Sequence, residues 1–188
     1  KAIDFYGTGL DTLWTDTRVY WLVEGSTAGQ RIRVSTKKGG SGGTPNFRYT
    51  VERKDRTFYF PALRNGAESN WFGPPIYQPQ EPVDQVLEVR NSDLSAPEDA
   101  VLEIGVQGAA DASHLVRIYV NDIEVGTLSW EGQVPSAGVF AVPHANLLDG
   151  ENLVTLEPLG GDMIVSLVDY VRLTYSHKYR AYGDELKC

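Results

Sequence analysis

The sequence has almost no cysteine, and this limits how the fold can be held together. The single cysteine is Cys188, the last of 188 residues. No disulfide can form within the chain, so packing, with or without a metal ion, must stabilise it. Avoidance of cysteine is compatible with export but does not demand it. A terminal cysteine also lacks the adjacent histidine and the shielding scaffold that a nucleophilic thiol needs.

Long apolar runs and an excess of positive charge are also missing. No stretch approaches the roughly 18 consecutive apolar residues of a membrane helix, and we expect no signal peptide within this sequence. The 17 Lys and Arg stand against 25 Asp and Glu, a formal net charge of −8, whereas nucleic-acid binding depends on many basic side chains. We therefore expect neither membrane insertion nor a nucleic-acid partner. Because residue 1 is Lys and not Met, we expect a mature form or an excised segment.

The residues that are abundant favour β-strands joined by turns. The chain has 10 Tyr, 4 Trp, 19 Gly and 10 Pro, a composition typical of strands and turns. From residue 83 onward, short runs alternate apolar and polar side chains at the spacing of a β-sandwich. Asn121 and Asp122 suit a tight hairpin between two of these runs, and PHANLLDG predicts one helical turn. The seven runs are QVLEVR, VLEIGVQG, HLVRIYV, IEVGTLSW, GVFAVP, NLVTLEP and VSLVDYVRLTY.

Residues 1–56 predict an N-terminal β-strand extension packed on a sandwich formed by residues 57–188. AIDFYG, RVYWLVEG and GQRIRVST have the composition of strands, and FRYTVERKDRTFYFPAL predicts a long strand or strand pair with Phe47, Tyr49 and Val51 on one face. KKGGSGGTPN predicts a connector, because no GK[ST] or helix follows to make a phosphate loop. Residues 65–82 contain four prolines and predict a loop.

Three segments of the second half resemble galactose-binding-like jelly rolls. VNDIEVGTLSWEG, VPHANLLDGENLVTLEP and VSLVDYVRLTY are similar to that family's N-G-x-x-V-G turn, its L-L-x-G-x-N-x-V-x-L element and its last strand with V-D-Y-I. The resemblance covers about residues 121–175. It implies an all-β fold, a jelly-roll β-sandwich with an N-terminal β extension. In physical terms, Gly150 suits a left-handed cap, and the Asn152 amide can bond the neighbouring turn.

A wider resemblance takes in nearly the whole chain. DFYGTGLDTLWTDTRVYWLVEG, NWFGPPI, HLVRIYVNDIEVGTLSWEGQ and LVDYVRLTYSHKYRAYGDEL look like the non-catalytic β module ahead of the peptidase domain in large exported bacterial proteins related to gingipain-type cysteine peptidases. The resemblance implies a secreted or cell-surface accessory module whose partners are neighbouring domains of a parent chain. That family's catalytic residues lie in an α/β domain, and this sequence has no βαβ alternation to build one.

The residue pattern does not support catalysis by the chain itself. Ser166, Asp169 and His177 are close in sequence, yet the two-residue period of a strand places Ser166 and Asp169 on opposite faces. No G-x-S-x-G elbow accompanies them, and the three histidines make no metal-binding pair. With 25 acidic residues some carboxylate pair always exists, so no glycosidase pair can be assigned. We predict that the chain is not an enzyme.

Asp169 interrupts an apolar strand, where an unpaired carboxylate would be costly to bury. In several carbohydrate-binding jelly rolls, an acid in the last strand helps to hold a structural calcium together with acids near the N-terminal strand. The resemblance implies that Asp169 could act with Asp4, Asp11 and Asp16, since calcium takes six to eight oxygen ligands. Pairing with Arg172, or exposure to solvent, would also satisfy the carboxylate.

Aromatic residues in turn-rich segments are candidates for ligand contact. Trp14, Trp71 and Phe72 belong to this group, because a flat aromatic face can stack on a sugar ring. The alternative is packing in the core or against another domain, and we expect core packing for Trp21 and Trp130. Two hypotheses result. One is an accessory module that positions or supports a neighbouring peptidase domain, and the other is a carbohydrate-binding module that binds a glycan or cell-surface component.

Overall fold

The computed structural model describes residues 7, 9–10, 12, 15, 17–26, 46–64 and 69–181. The chain divides into two compact units, residues 1–43 with 65–69 and residues 44–64 with 70–188. All the strands of the described part belong to the second unit. They are β1 (Asn46–Arg53), β2 (Phe58–Tyr59), β3 (Trp71–Phe72), β4 (Pro75–Ile76), β5 (Val83–Val89), β6 (Ala100–Gly108), β7 (Ser113–Val120), β8 (Ile123–Glu131), β9 (Pro135–Val142), β10 (Gly150–Pro158) and β11 (Ser166–Lys178).

Two antiparallel sheets form a sandwich. The five-stranded sheet has the order β1-β11-β6-β9, with β4 also paired to β11, and the four-stranded sheet has the order β5-β10-β7-β8. Strands β2 and β3 make a separate two-stranded ribbon. The predicted all-β jelly-roll sandwich is confirmed. Strand β1 is an edge strand of the five-stranded sheet. The division of the chain into an extension over residues 1–56 and a sandwich over residues 57–188 stays a prediction.

Alternating side chains from both sheets fill the space between them. In β5, Val83, Leu87 and Val89 are buried and the residues between the inward positions are exposed, as the period-two pattern predicts. Tyr175 on β11 is fully buried, and its hydroxyl both accepts from the Arg90 N–H at 3.1 Å and donates to the Arg90 carbonyl at 3.0 Å. This pair of bonds ties the centre of the five-stranded sheet to the end of β5.

The predicted turns are present, with one change. Asn121 and Asp122 have φ angles of 50° and 66° and join β7 to β8, which confirms the tight hairpin. The helical turn is a 3-10 helix over His144–Asn146. Gly150 has a φ of 134° but begins β10, so its positive φ serves the entry into a strand and not the end of the helix.

A buried amide joins these turns. Asn152 is fully buried, and its Oδ1 accepts from the Asn121 side chain at 2.9 Å and from the Leu148 N–H at 2.8 Å. Its Nδ2 donates to the carbonyls of Leu148 at 2.8 Å and Gly150 at 3.1 Å. The Asn121 Oδ1 in turn accepts from the Leu153 N–H at 2.9 Å. The predicted bonding of the neighbouring turn by Asn152 is confirmed.

Residues 18–25 differ from the sequence-based prediction. RVYWLVEG has the composition of a strand, yet the structure gives these residues no strand. Trp21, expected in the core, is 85% exposed, whereas Trp130 does pack against the core. The physical reason is that strand composition stabilises a strand only where a partner and a covering layer exist. Most of AIDFYG, GQRIRVST and KKGGSGGTPN lies outside the described residues.

Within the described ranges, no helix is long and apolar enough to cross a bilayer.

Candidate binding surfaces

The β2–β3 ribbon presents two aromatic rings at the surface. Tyr59 pairs with Trp71 across the ribbon, with ring centroids 5.2 Å apart and planes inclined by 50°. Tyr59 is 51% exposed and Trp71 is 46% exposed. Sequence reasoning missed Tyr59, because the pairing of β2 with β3 cannot be inferred from the apolar run in which it lies. The two rings together form an amphipathic surface of the kind that contacts partly apolar ligands.

Phe72 follows Trp71 directly but has the opposite environment. Adjacent strand residues point to opposite faces, and Phe72 is 4% exposed within a small apolar cluster that includes Leu63 and Leu167. Its ring is therefore not available to a ligand in this structure. The proposal of ligand contact rests on Trp71 and not on Phe72, while Trp14 lies outside the described residues.

Asp169 is the extra residue of a β-bulge in β11. The register of β11 with β6 shifts between Val168 and Tyr170, which leaves Asp169 outside the regular ladder. Its Oδ1 lies 3.6 Å from the Lys54 Nζ, and both side chains are partly exposed. Lys54, and not Arg172, is thus the basic partner of this carboxylate.

The calcium hypothesis remains a prediction. Among the described residues, no group of three or more His, Cys, Asp or Glu side chains is arranged to hold a metal ion. Asp4, Asp11 and Asp16 lie outside those residues. The ion pair with Lys54 accounts for the Asp169 carboxylate without a metal ion, and a chelator can test whether a metal is also needed.

Arg172 belongs to a charged network on the outer face of the five-stranded sheet. Glu52 on β1 and Glu103 on β6 flank it in register, and its guanidinium bonds both carboxylates. The guanidinium carbon lies 4.1 Å from the centre of the Tyr170 ring, whose hydroxyl donates to Glu103. Burial, and then the bond to Glu103, raise the pKa of Tyr170 to about 12. The phenol is therefore protonated at neutral pH and remains a donor to Glu103.

The three polar residues near the end of the chain do not form a catalytic group. Ser166 is 3% exposed, and its Oγ lies 2.9 Å from the His114 Nδ1. The His114 Nε2 lies 2.9 Å from the Ala110 carbonyl, and a carbonyl can only accept, so Nε2 carries the proton. In the neutral imidazole Nδ1 is then the acceptor, and the Ser166 hydroxyl donates to it. His177 is buried elsewhere, with its Nδ1 facing the Lys178 carbonyl. The Ser166 hydroxyl therefore links β11 to the His114 ring and not to His177.

A cavity of about 450 Å³ opens between β1 and the loop that follows β5. Asp93 accepts from the Ser95 hydroxyl at 2.6 Å and from the Asn46 side chain at 2.7 Å, and these bonds lower the pKa of Asp93. Arg48 donates to the carbonyls of Asp99 and Thr174. The polar groups of this cavity thus bond mainly to the protein itself, and they hold the loop against the sheet.

Comparison of the sequence with protein-family models and with curated proteins finds no match. The structure is similar to dimeric latent PorU from Porphyromonas gingivalis, with a TM-score of 0.61 and 12% identity over 77% of this chain and 14% of that chain. The chain has the fold of one part of PorU. It spans 14% of the length of PorU, and the likeness at this identity concerns the fold alone.

Two carbohydrate-binding modules are more distantly similar. One is the module CBM36 in complex with calcium and xylotriose, with a TM-score of 0.41 and 13% identity over 70% of this chain and 90% of that chain. The other is the CBM36-1 domain of a multidomain xylanase from the hindgut metagenome of Trinervitermes trinervoides, at 0.43 and 13% over 68% and 96%. The ligands named for the first module belong to that protein.

Proposed function

We propose that this chain is a non-catalytic accessory module of an exported bacterial multidomain protein, which positions or supports a neighbouring gingipain-type peptidase domain. The observation that carries the proposal is the exposure of residues 19–23, an uninterrupted apolar run. Trp21 is 85% exposed and Leu22 is 82% exposed, with Val19 and Val23 at 66% and 78%. Contiguous exposed apolar surface marks sites that contact other proteins. We call this run the 19–23 segment.

The likeness to PorU supports the same proposal. The matched region is a small part of a much longer chain, 14% of its length. A sandwich in such a setting has domain neighbours, and the 19–23 segment offers an apolar surface for one of them to cover. Each of its large side chains would contribute about 1.5–3 kcal/mol if it became fully buried against a neighbour.

The combined substitutions Trp21→Ser and Leu22→Ser test this function in the multidomain protein. We expect the melting temperature of the peptidase domain to fall by several degrees, because the module would no longer bury apolar surface against it. The isolated module should melt unchanged, since both side chains are exposed there. Differential scanning calorimetry of both proteins measures this. Leu94→Ser, at a residue 63% exposed in the sandwich, is the matched control. Identical melting of the parent protein with and without the two changes would contradict the proposal.

A second candidate function, carbohydrate binding, is favoured by the joint exposure of Tyr59 and Trp71. We propose that the two rings stack on a glycan at the cell surface, and that a structural calcium held by Asp169 with Asp4, Asp11 and Asp16 stabilises the module. Stacking of a sugar on an aromatic face would supply the affinity, while neighbouring polar groups would set the orientation.

A glycan array tests the second function. We expect Trp71→Ala to weaken binding about tenfold, equivalent to about 1.4 kcal/mol. Trp21→Ala is the control and should leave binding unchanged, because it removes a ring that is not part of the Tyr59–Trp71 pair. Binding to no glycan, or equal binding by Trp71→Ala, would rule it out. Addition of a chelator should lower the melting temperature of the wild-type chain. An unchanged melting temperature would rule out the structural calcium.

A further inference from the structure

Strand β9 is an edge strand that carries no charged side chain. It lies at the end of the five-stranded sheet beyond β6 and runs for eight residues with the sequence PSAGVFAV. Edge strands usually avoid pairing with other chains by charged side chains, proline, bulges or shortness. The other three edges of the sandwich, β1, β5 and β8, each contain at least two charged residues. In β9 the only such feature is Pro135, at its first position.

The register identifies the backbone groups that β9 leaves at the free edge. Gln107 stands opposite Pro135, Pro135 has no N–H, and the Gly108 N–H donates to the Val134 carbonyl. This is the pattern of a non-hydrogen-bonded pair. Hydrogen-bonded pairs with β6 therefore fall at the alternate residues, namely Ser136, Gly138, Phe140 and Val142.

The intervening residues direct both backbone groups away from β6. These are Ala137, Val139 and Ala141, all exposed, with Val139 at 68%. Across the ranges that the structure describes, β9 pairs with β6 and with no other strand. In the part of the chain that the structure describes, three N–H and three carbonyl groups thus have no strand partner, at the spacing that an added strand requires.

The Phe140 side chain supports the free edge from the inner face of the sheet. Phe140 points inward, and its ring occupies the space beside two glycines: a Cβ on Gly126 would lie 2.7 Å from the ring, and a Cβ on Gly138 would lie 2.8 Å from it. The ring therefore spans from β9 to β8 and closes this side of the sandwich. Because the edge is already formed, a partner would not bear the cost of ordering it.

We propose that the β9 edge binds an extended segment of another polypeptide as an additional strand. Six backbone hydrogen bonds to Ala137, Val139 and Ala141 would hold the segment. Its side chains beside β9 would be small or β-branched and uncharged, matching the uncharged strand. Lysine or arginine would flank them, because this chain has a net charge of −8 and repels acidic partners.

The same observations favour a foreign segment over a second copy of the chain. Two copies would each bring a charge of −8. They would also have only one eight-residue strand each along which to meet, whereas stable interfaces usually bury at least about 1,200 Å². A flexible segment can follow the twist of the edge and cover Val134, which is 48% exposed. The proposal is independent of the 19–23 segment and stands on the β9 backbone alone.

A labelled peptide of sequence KTVTVTVK, with both ends blocked, is the probe. We expect saturable binding to the wild-type chain by fluorescence anisotropy, and at least tenfold weaker binding to Ala137→Pro. That substitution removes one free-edge N–H and none of the bonds to β6, and proline is tolerated at such edge positions. Its melting temperature should stay within about 2 °C of wild type. Val86→Lys, on the outer face of β5 and 39% exposed, is the control and should bind normally.

Two further measurements make the result independent of any single variant. A peptide with an N-methyl group on every residue should not bind, because neither of its edges can donate to β9. Hydrogen exchange should show the amides of Ala137, Val139 and Ala141 slowed by the peptide, with that of Phe140 unchanged. Absence of peptide binding, equal binding by Ala137→Pro or the methylated peptide, or wild-type dimers that Ala137→Pro converts to monomers would each overturn the proposal.

Discussion

Asn152→Ala is expected to lower the free energy of unfolding by about 3–4 kcal/mol. The amide is fully buried and makes four hydrogen bonds, each with a net contribution of about 1 kcal/mol. Its removal leaves the Leu148 N–H and one of the two N–H groups of the Asn121 amide without an acceptor. Urea unfolding followed by tryptophan fluorescence measures the change.

Asn46→Ala provides the comparison for this prediction. Asn46 is only partly buried and donates one side-chain bond, to Asp93 at 2.7 Å, so we expect a loss of about 1 kcal/mol. If Asn152→Ala lost no more than Asn46→Ala, the turns after β7 and before β10 would hold together without the buried amide. That outcome would contradict a central role for Asn152 in joining them.

Gly108→Ala is expected to lower the free energy of unfolding by about 3 kcal/mol or more. A Cβ at this position would lie 2.2 Å from the Gly132 carbonyl oxygen and 2.9 Å from both the His114 Nε2 and the Trp130 Nε1. The nearest atom belongs to the backbone, so a side-chain rotation cannot relieve the overlap and the strands must move. Thermal unfolding followed by circular dichroism tests this.

Gly105→Ala is the matched control on the same strand. Its Cβ would lie 2.3 Å from the Tyr170 ring, but that ring lies on the outer face of the sheet and can rotate away. We expect a loss of about 1 kcal/mol, together with a weakened bond from Tyr170 to Glu103. A larger loss for Gly105→Ala than for Gly108→Ala would show that the backbone of the loop before β9 yields more easily than the Tyr170 ring.

The strands from residue 83 onward could be predicted because their signals are local. A period of two in side-chain polarity and the turn preferences of Asn121 and Asp122 involve neighbours in sequence only. The role of Asn152 was likewise visible, since its partners in the turn lie within a few residues of it. In each case the interaction that fixes the structure is contained in a short stretch of chain.

Features that depend on distant residues could not be predicted. The pairing of Tyr59 with Trp71 and of Ser166 with His114 joins strands far apart in sequence. The strict period assumed for β11 took no account of the bulge at Asp169, which directs that carboxylate to Lys54. RVYWLVEG has a strand composition, but composition does not say whether a partner strand is available.

The central place of β11 has a consequence for the order of folding. Residues 166–178 pair with β1, β4 and β6, so three earlier segments have no neighbour on that side until the ribosome has made almost the whole sandwich. Contacts between residues as far apart as Asn46 and Lys178 make folding slow. The five-stranded sheet therefore cannot be completed until β11 has been synthesised, and its earlier strands wait for their central neighbour.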